Sequence, residues 1–490
     1  MKIRTVRPVL ALCALCAVLA PLAGCGDGAA DDHARADKAH SPQATKPPAA
    51  HPPAPGKGSE DPDDINGDGH RDLLLPVYGT DAPAAQRTAG RYMVVYGSPE
   101  GPDAATRTVY RPEDLGLPEP GASDTTVPEP FGPDGPLTAD LDGDGFPDVV
   151  ATVLGDRKLD RNVSAPRGTL YVSWGGPKGP AGGADATQVR LPADAATLGV
   201  GSVVRGDFDG DGHHDLAALA VNQSSVVVLY GPFTRAGAPA RTDTHLPWAD
   251  GTLYADAIDP SGKRRATSLV LRDMGDGEQA TGTLYRAAPG TGPAAPGVPL
   301  RAGNALAFGD FDGDGRRDVA VGDDGSRNDE PGYETEAPDV TGSYAVYPGT
   351  GAAPVAHRLP KTAVPPPGTP PGHGYGGFVA ADPDGDGRDA LLTATRDGAT
   401  LLDGDLTTPV TREGPAAYGG RATPAKWRHA RPVGAADFDG DGRDELLLDW
   451  GPGVRFGLYG EGATRRWVTD GATSRDMAAL DITALASDTS

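Results

Sequence analysis

A nine-residue acidic loop punctuated by glycine recurs six times along the chain, starting at Asp64, Asp140, Asp207, Asp310, Asp382 and Asp437. One copy reads Asp207-Phe208-Asp209-Gly210-Asp211-Gly212-His213-His214-Asp215. Oxygen donors at loop positions 1, 3 and 5, a backbone carbonyl at 7 and a carboxylate at 9 suit a hard cation that takes six to eight oxygens, which is calcium. Glycine at position 6 (Gly69, Gly145, Gly212, Gly315, Gly387, Gly442) allows the left-handed turn that wraps the backbone around an ion. An EF-hand shares the first half of this pattern but needs Glu at position 12 and flanking helices. Position 12 is Leu75 in the first copy and Val321 in the fourth, and the following runs, such as Leu73-Leu74-Leu75 and Leu446-Leu447-Leu448, are strand-like. The loops therefore belong between strands.

A second phrase, an apolar strand ending in aromatic-Gly or an equivalent, follows most loops. It reads Tyr96-Gly97, Trp174-Gly175, Tyr230-Gly231 and Tyr347-Pro348-Gly349, and in altered form Leu284-Tyr285-Arg286. Upstream of the altered copy, Ala257-Ile258-Asp259-Pro260-Ser261-Gly262-Lys263-Arg264-Arg265 fills the loop slot with the position-6 glycine kept and Arg at position 9. This unit reads as one that kept its turn and lost its metal, with Arg265 reaching the space an ion would take. Seven units result, spaced by 76, 67, 50, 53, 72 and 55 residues. Such spacing suits four-stranded blades closing into a propeller. No strand-like run separates Asp64 from the segment before it, so Met477–Ile482 is expected to complete the first blade and close the ring.

With 70 Gly, 49 Pro and 6% aromatics, the composition fits an all-β protein rich in turns. The formal charge of −24 argues against nucleic acid as a partner and against a polybasic membrane contact. Lys2, Arg4 and Arg7 precede an apolar stretch from Val9 to Ala20 and then Leu22-Ala23-Gly24-Cys25. Residues 1–24 are expected to be a lipoprotein signal peptide, with Cys25 the lipidated residue holding the chain on the outer face of a bacterial cell membrane. Residues 25–58, rich in Ala and Pro, read as a disordered tether, and 59–490 as the propeller. Cys13 and Cys16 leave with the signal, so the exported domain has no disulfide.

Loops of the form Asp-x-Asp-Gly-Asp-Gly between strands, followed by the Tyr-x-Gly phrase, resemble the FG-GAP/VCBS repeats of integrin α-subunit propellers and their bacterial relatives. The resemblance covers about 60–490, with the literal Phe-Gly read at Phe131-Gly132. It implies an integrin α-like, seven-bladed β-propeller with calcium loops between strands 1 and 2 of most blades. The implied calcium ligands are Asp64, Asn66, Asp68, His70 (carbonyl) and Asp72; Asp140, Asp142, Asp144, Phe146 and Asp148; and Asp207, Asp209, Asp211, His213 and Asp215. They continue with Asp310, Asp312, Asp314, Arg316 and Asp318; Asp382, Asp384, Asp386 and Arg388; and Asp437, Asp439, Asp441, Arg443 and Glu445. The loop at 382–390 should be the weakest, because Ala390 stands at position 9 and Asp389 comes one place early.

Nucleophile, zinc and phosphate motifs are absent from the sequence, so no catalytic residue is assigned. His213 and His214 are expected to face solvent, and His373 is a weak site candidate in a Pro/Gly-rich loop. Ligand binding is expected on the rim opposite the metal loops, in segments 113–130, 152–167, 232–247, 323–341 and 351–374, with Trp248, Tyr333, Tyr375 and Trp427 as stacking candidates. The function read from this is a cell-surface, lipid-anchored, monomeric binding or scaffold module for an extracellular glycan or protein. The alternative is a secreted polysaccharide lyase or hydrolase on the same frame.

Overall fold

The computed structural model describes residues 47–490 except 79–88, 122–134, 181, 275–278, 325–339, 361–376, 396–397, 453–461 and 488–490. The chain falls into two units, 1–45 and 46–490, and the first lies outside the described residues together with the signal-peptide and Cys25 expectations.

Seven antiparallel sheets follow one another along the second unit, each an up-and-down meander. Blade one has three strands, Leu73–Tyr78, Ala89–Val95 and Arg107–Tyr110. The other six have four. Blade two is Leu137–Ala139, Asp148–Asp160, Val163–Ser173 and Thr187–Gln188; blade three is Val200–Gly206, Asp215–Ala220, Val226–Tyr230 and Arg241–Asp243. Blade four is Gly251–Ala255, Leu269–Asp273, Ala280–Tyr285 and Val298–Gly303; blade five is Ala305–Gly309, Asp318–Gly322, Ser343–Tyr347 and Val355–Arg358. Blade six is Phe378–Ala381, Ala390–Thr395, Gly398–Asp403 and Leu406–Val410; blade seven is Arg431–Ala436, Glu445–Trp450, Arg465–Thr469 and Asp476–Asp481.

Burial explains why the second strands are continuous apolar runs. Asp215–Ala220 and Ala390–Thr395 are buried at every position, because a neighbouring blade covers each face. Clusters such as Val150, Leu170, Val172, Leu216, Ala218 and Leu229 fill the space between blades two and three. The outermost strands are short and exposed, as in Val355–Arg358, which limits the edge available for unwanted pairing.

Three expectations need correction. Asp476–Asp481 pairs with Arg465–Thr469 and is the outer strand of blade seven, so it does not complete blade one. The ring closes instead through side chains: Leu75, Met93 and Val95 of blade one pack with Phe438 and Val468 of blade seven and with Ile482, Leu485 and Ala486 of the terminal helix Ile482–Ser487. The Arg107 guanidinium also donates to the Leu485 carbonyl at 3.2 Å. Secondly, the end of the tether is docked. The His51 amide donates to the Ala105 carbonyl at 3.0 Å, Gly56 to Pro177 at 2.8 Å and Ser59 to Gly145 at 2.8 Å. Thirdly, 152–167 is no loop. Strands 2 and 3 of blade two run on as a long hairpin that turns at Arg161 and Asn162, both left-handed at φ 48° and 70°.

Candidate metal centres

All six acidic loops join strand 1, or its place in blade one, to strand 2 of their blade. Each is folded by its own position-1 carboxylate. Asp140 accepts from the amides of Gly143, Asp144 and Gly145 at 2.9, 3.1 and 2.9 Å. Asp382 and Asp437 do the same for the corresponding three amides, Asp64 and Asp310 accept from the amides at positions 5 and 6, and Asp207 accepts from Gly212 at position 6. Glycine is left-handed at position 4 as well as at position 6, with φ 70° at Gly210 and 90° at Gly212. The position-7 residues His70, Phe146, His213, Arg316, Arg388 and Arg443 each donate their amide to the position-5 carboxylate, at 2.9–3.1 Å.

This wrapping brings carboxylate oxygens together. In five loops three residues place one oxygen each within 4.8 Å of one another: Asp140, Asp142 and Asp148; Asp207, Asp209 and Asp215; Asp310, Asp312 and Asp318; Asp382, Asp384 and Asp386; Asp437, Asp439 and Glu445. In the first loop Asn66 replaces the position-3 carboxylate, and its Nδ2 donates to Asp68 at 2.9 Å and to the Ala54 carbonyl at 3.1 Å. Several of these oxygens are buried and accept no hydrogen bond: Asn66 Oδ1, Asp142 Oδ1, Asp207 Oδ1 and Asp209 Oδ1. Asp209 is only 8% exposed and Asp207 4%. A buried oxygen without a donor is costly, and a cation among these groups would supply what each lacks, so the residues fit a hard metal ion.

Position 9 has a second task. Asp148 accepts from the Leu141 amide at 3.0 Å with one oxygen and from the Gly175 amide at 2.7 Å with the other. Asp72, Asp215 and Asp318 bond the same way to Gly97, Gly231 and Gly349. The aromatic-Gly phrase is thus the far half of a buckle between the loop and the end of strand 3. It must be glycine because the backbones touch: a Cβ on Gly175 would lie 2.4 Å from the Phe146 carbonyl oxygen. Where position 9 is not acidic the phrase is altered too, as in Arg265 with Tyr285-Arg286, and Ala390 with Asp403-Gly404. Burial, with the neighbouring loop carboxylates adding to it, pushes Asp148 and Asp215 up to about 8, Glu445 to about 7, and Asp140 and Asp318 to about 6.

Two arginines reach these loops. Arg235 donates to Asp142 at 2.5 Å and Asp144 at 2.6 Å, and Arg241 donates to Asp209 at 2.8 Å while lying 3.4 Å over the Tyr230 ring. Both hold the Oδ2 atom of the position-3 carboxylate and leave Oδ1 unpartnered. The segment 232–247 therefore sits partly on the metal-loop side, which corrects its assignment to the opposite rim. In blade four, Arg265 bonds Asp256 and the Ala257 carbonyl, the latter at 2.7 Å, so the guanidinium closes its own loop as its charge suggested. Pro260 at position 4 adds a reason for the altered loop that position counting missed, since proline cannot take the left-handed angle found there in the other loops.

Position 8 turns inward to the neighbouring blade. His214 is buried and its Nδ1 accepts from the Asp140 amide at 2.8 Å; Asp389 accepts from Asp310 at 2.6 Å, and Asp444 from Asp382 at 2.8 Å. His214 thus does not face solvent, and burial, helped by Arg205, lowers it to about 4. Asp389 is no substitute ligand for the sixth loop; it also pairs with Arg317 at 2.7 Å, which binds Asp256 of blade four at 3.1 Å. Arg71, Arg265, Arg317, Asp61 and Asp444 line a central opening of about 600 Å³ on this face. Of the stacking candidates, Trp427 is buried, its carbonyl accepting from Trp450 Nε1 at 2.9 Å, and Trp248 packs partly buried beside Phe208 and Leu246. Tyr333, Tyr375 and His373 lie outside the described residues.

Residues 302–347, the end of blade four and the first three strands of blade five, match the FG-GAP repeat model. No curated protein matches the chain in sequence. Among solved structures, BBS1N in complex with ARL6DN is similar at 11% identity and a TM-score of 0.42, covering 84% of this chain and 94% of that one. The Dos1 propeller is similar at 9% and 0.35, with 82% and 92% covered. The V. cholerae biofilm matrix protein Bap1 is similar at 12% and 0.30, with 84% and 90% covered. The chain is a seven-bladed, all-β propeller that carries an FG-GAP repeat in its fifth blade.

Proposed function

We propose that the protein is exported, held at the outer face of a cell membrane by a lipid on Cys25, and acts as a monomeric, calcium-stabilised binding or scaffold module for an extracellular glycan or protein. The observation that carries the calcium reading is the set of buried, unpartnered oxygens on Asn66, Asp142, Asp207 and Asp209. They sit in loops that already turn several other oxygens inward. Loops one, two, three, five and seven hold the fuller ligand sets. Loop six, without a position-9 carboxylate, is the weakest, and blade four uses Arg265 in place of an ion. The ions would hold strand 1 to strand 2 in blades two, three, five, six and seven and fix the entry to the first strand of blade one, a role in folding and not in turnover. Acidic surface charge speaks against nucleic acid.

Binding follows from a rigid ring that presents connections of unequal length, an arrangement suited to recognition. At the central opening the arginines and carboxylates are bonded to one another across blades, which favours a structural use for them over catalysis. One experiment tests both. The purified chain in millimolar calcium is incubated with cell-wall and environmental polysaccharides, and products are read by mass spectrometry. Depletion of a glycan without new products supports the module. New products that require the protein would replace it with a polysaccharide lyase or hydrolase.

A further inference from the structure

The residue just before the buckle glycine governs how one blade meets the next. Tyr96 is fully buried with Val149 and Ala151 of blade two, and Tyr230 is 2% exposed beside Leu253 and Leu271 of blade four. Both rings run on to the 3–4 connection of the next blade. A Cβ on Gly179 would lie 2.9 Å from the Tyr96 hydroxyl, and one on Gly292 2.1 Å from that of Tyr230. Trp174 lies under Arg235 of blade three, 5.4 Å away. Arg286, at the matching place in blade four, donates to the Pro348 and Gly349 carbonyls of blade five at 2.8 and 3.3 Å. Blades six and seven put Asp403 and Asp470 there, paired with Arg388 and Arg475.

Blade five has Pro348, whose ring is too short to cross. A cavity of about 390 Å³ takes the space between it and blade six. One wall is a single face of blade five: the alternate residues Tyr344, Val346 and Pro348 of strand 3, with Val355 and His357 of strand 4 paired beside them. The other is Leu391 and Leu402, a cross-strand pair of blade six. Val346 and Leu402 keep 8% and 9% of their surface accessible, so both walls are open to the cavity. Gly404, in the 3–4 turn of blade six, also lines it, matching the glycines that Tyr96 and Tyr230 reach. At the rim Val355 is exposed and His357 stacks on Tyr344, with ring centroids 4.8 Å apart. The exposed Arg388 lines the same opening, its Nε donating to the Phe311 carbonyl at 2.8 Å.

We infer that this cleft receives a tyrosine side chain of a partner protein, which takes the seat that Tyr96 and Tyr230 fill from within their own blades. The apolar walls of Val346, Pro348, Leu391 and Leu402 suit the two faces of an aromatic ring and would leave sugar hydroxyls unpaired. The Tyr344 and His357 rings add aromatic pairing, and the terminal nitrogens of Arg388 can donate to a phenol oxygen or a backbone carbonyl. The volume exceeds that of one phenol ring and falls within the roughly 300–1,000 Å³ of ligand sites, leaving room for the peptide that carries the ring. The inference rests on the binding-module reading and narrows its partner to a protein.

The test uses the full chain, purified in mild detergent with millimolar calcium, and NMR titration with p-cresol, N-acetyltyrosinamide and methylcyclohexanol. The two phenols should bind one to one, and the saturated ring roughly threefold to tenfold more weakly, the margin that aromatic pairing provides. Pro348→Tyr fills the seat from within, so it should abolish binding while raising the melting temperature of the ligand-free protein. Val355→Trp, at an exposed position on the lip, should weaken both phenols with the melt unchanged, and serves as the test if the first variant does not fold. Binding of p-cresol without binding of N-acetyltyrosinamide would reduce the cleft to a hole for free rings and overturn the inference. Equal binding of the saturated ring, undiminished binding by a folded variant, or no binding of any probe also overturns it. Each of these leaves the module reading standing, because glycan depletion in the experiment above is measured independently.

Discussion

The position-9 carboxylate joins the two sequence signals of this chain into one physical object. In blade two, Asp148 receives two amides, those of Leu141 and Gly175. Asp148→Ala removes both acceptors at once and should cost roughly 2–4 kcal/mol in urea unfolding with calcium present. Gly175→Ala sets a Cβ 2.4 Å from a backbone oxygen, which cannot swing aside, and should cost a further ~1–3 kcal/mol on its own. Because both changes break one contact, the double variant should fall short of the sum. Full additivity would mean that the two residues act separately. Blade four offers the contrast. Asp256, only 2% exposed, is held by Arg265 and Arg317, so Arg265→Ala should destabilise the protein by about 1–3 kcal/mol. That loss should be the same in calcium and in chelator on the proposed reading that Arg265 takes the place of an ion in this loop. A loss that appears only in calcium would assign a metal to blade four.

At the scale of elements, loop and strand alternation was legible from end to end. Spacing of the Asp-x-Asp-Gly-Asp-Gly loops located every blade, including the one at 257–265 where the loop had changed. What counting could not see was partnership across blades. Position 8 carries Arg71, His214, Arg317, Asp389 and Asp444 in different copies, so no single residue type advertises its shared place at the centre. In His214, Arg317, Asp389 and Asp444 it reaches the preceding blade, a property of the closed ring and not of the local chain. Closure escapes the local sequence for a related reason. Met477–Ile482 is apolar enough to be a strand, but its pairing is decided by proximity to Arg465–Thr469, a hairpin away, and not by the missing strand of blade one. The terminal helix then does the joining. Leu485 is 3% exposed amid residues of blades one and seven, so Leu485→Ala should cost about 2–4 kcal/mol and lower the melting temperature by several degrees. An unchanged melt would show that the helix is dispensable for closure.

On the scale of the whole molecule, protons and cations compete for the same groups, and the direction can be worked out. Asp148 and Asp215 at about 8, Glu445 at about 7, and Asp140 and Asp318 at about 6 all stand above their ordinary values near 4. In the metal-free state the folded chain therefore holds protons that the unfolded chain has released. The stability these groups contribute is complete below about pH 4 and is lost as pH rises through 6 to 8. His214, lowered to about 4, has the opposite slope, since its contribution is complete above about pH 6.5 and is lost on acidification toward 4. It slopes the same way with and without the ion, however, and cancels in a difference. Asp63, which burial pushes up but Arg205, Arg71 and the Thr138 hydroxyl together bring down further, is held below its ordinary value and acts only under about pH 4. On the proposed reading calcium takes the place of these protons, so the rise in melting temperature that it produces should be largest near pH 8 and shrink steadily toward pH 5. Scanning calorimetry at fixed millimolar calcium, against chelator at each pH, measures that difference. A calcium increment that stayed constant from pH 5 to 8 would mean that the raised carboxylates are not the ligands, and that the six loops hold their shape through the amide bonds of their position-1 aspartates alone.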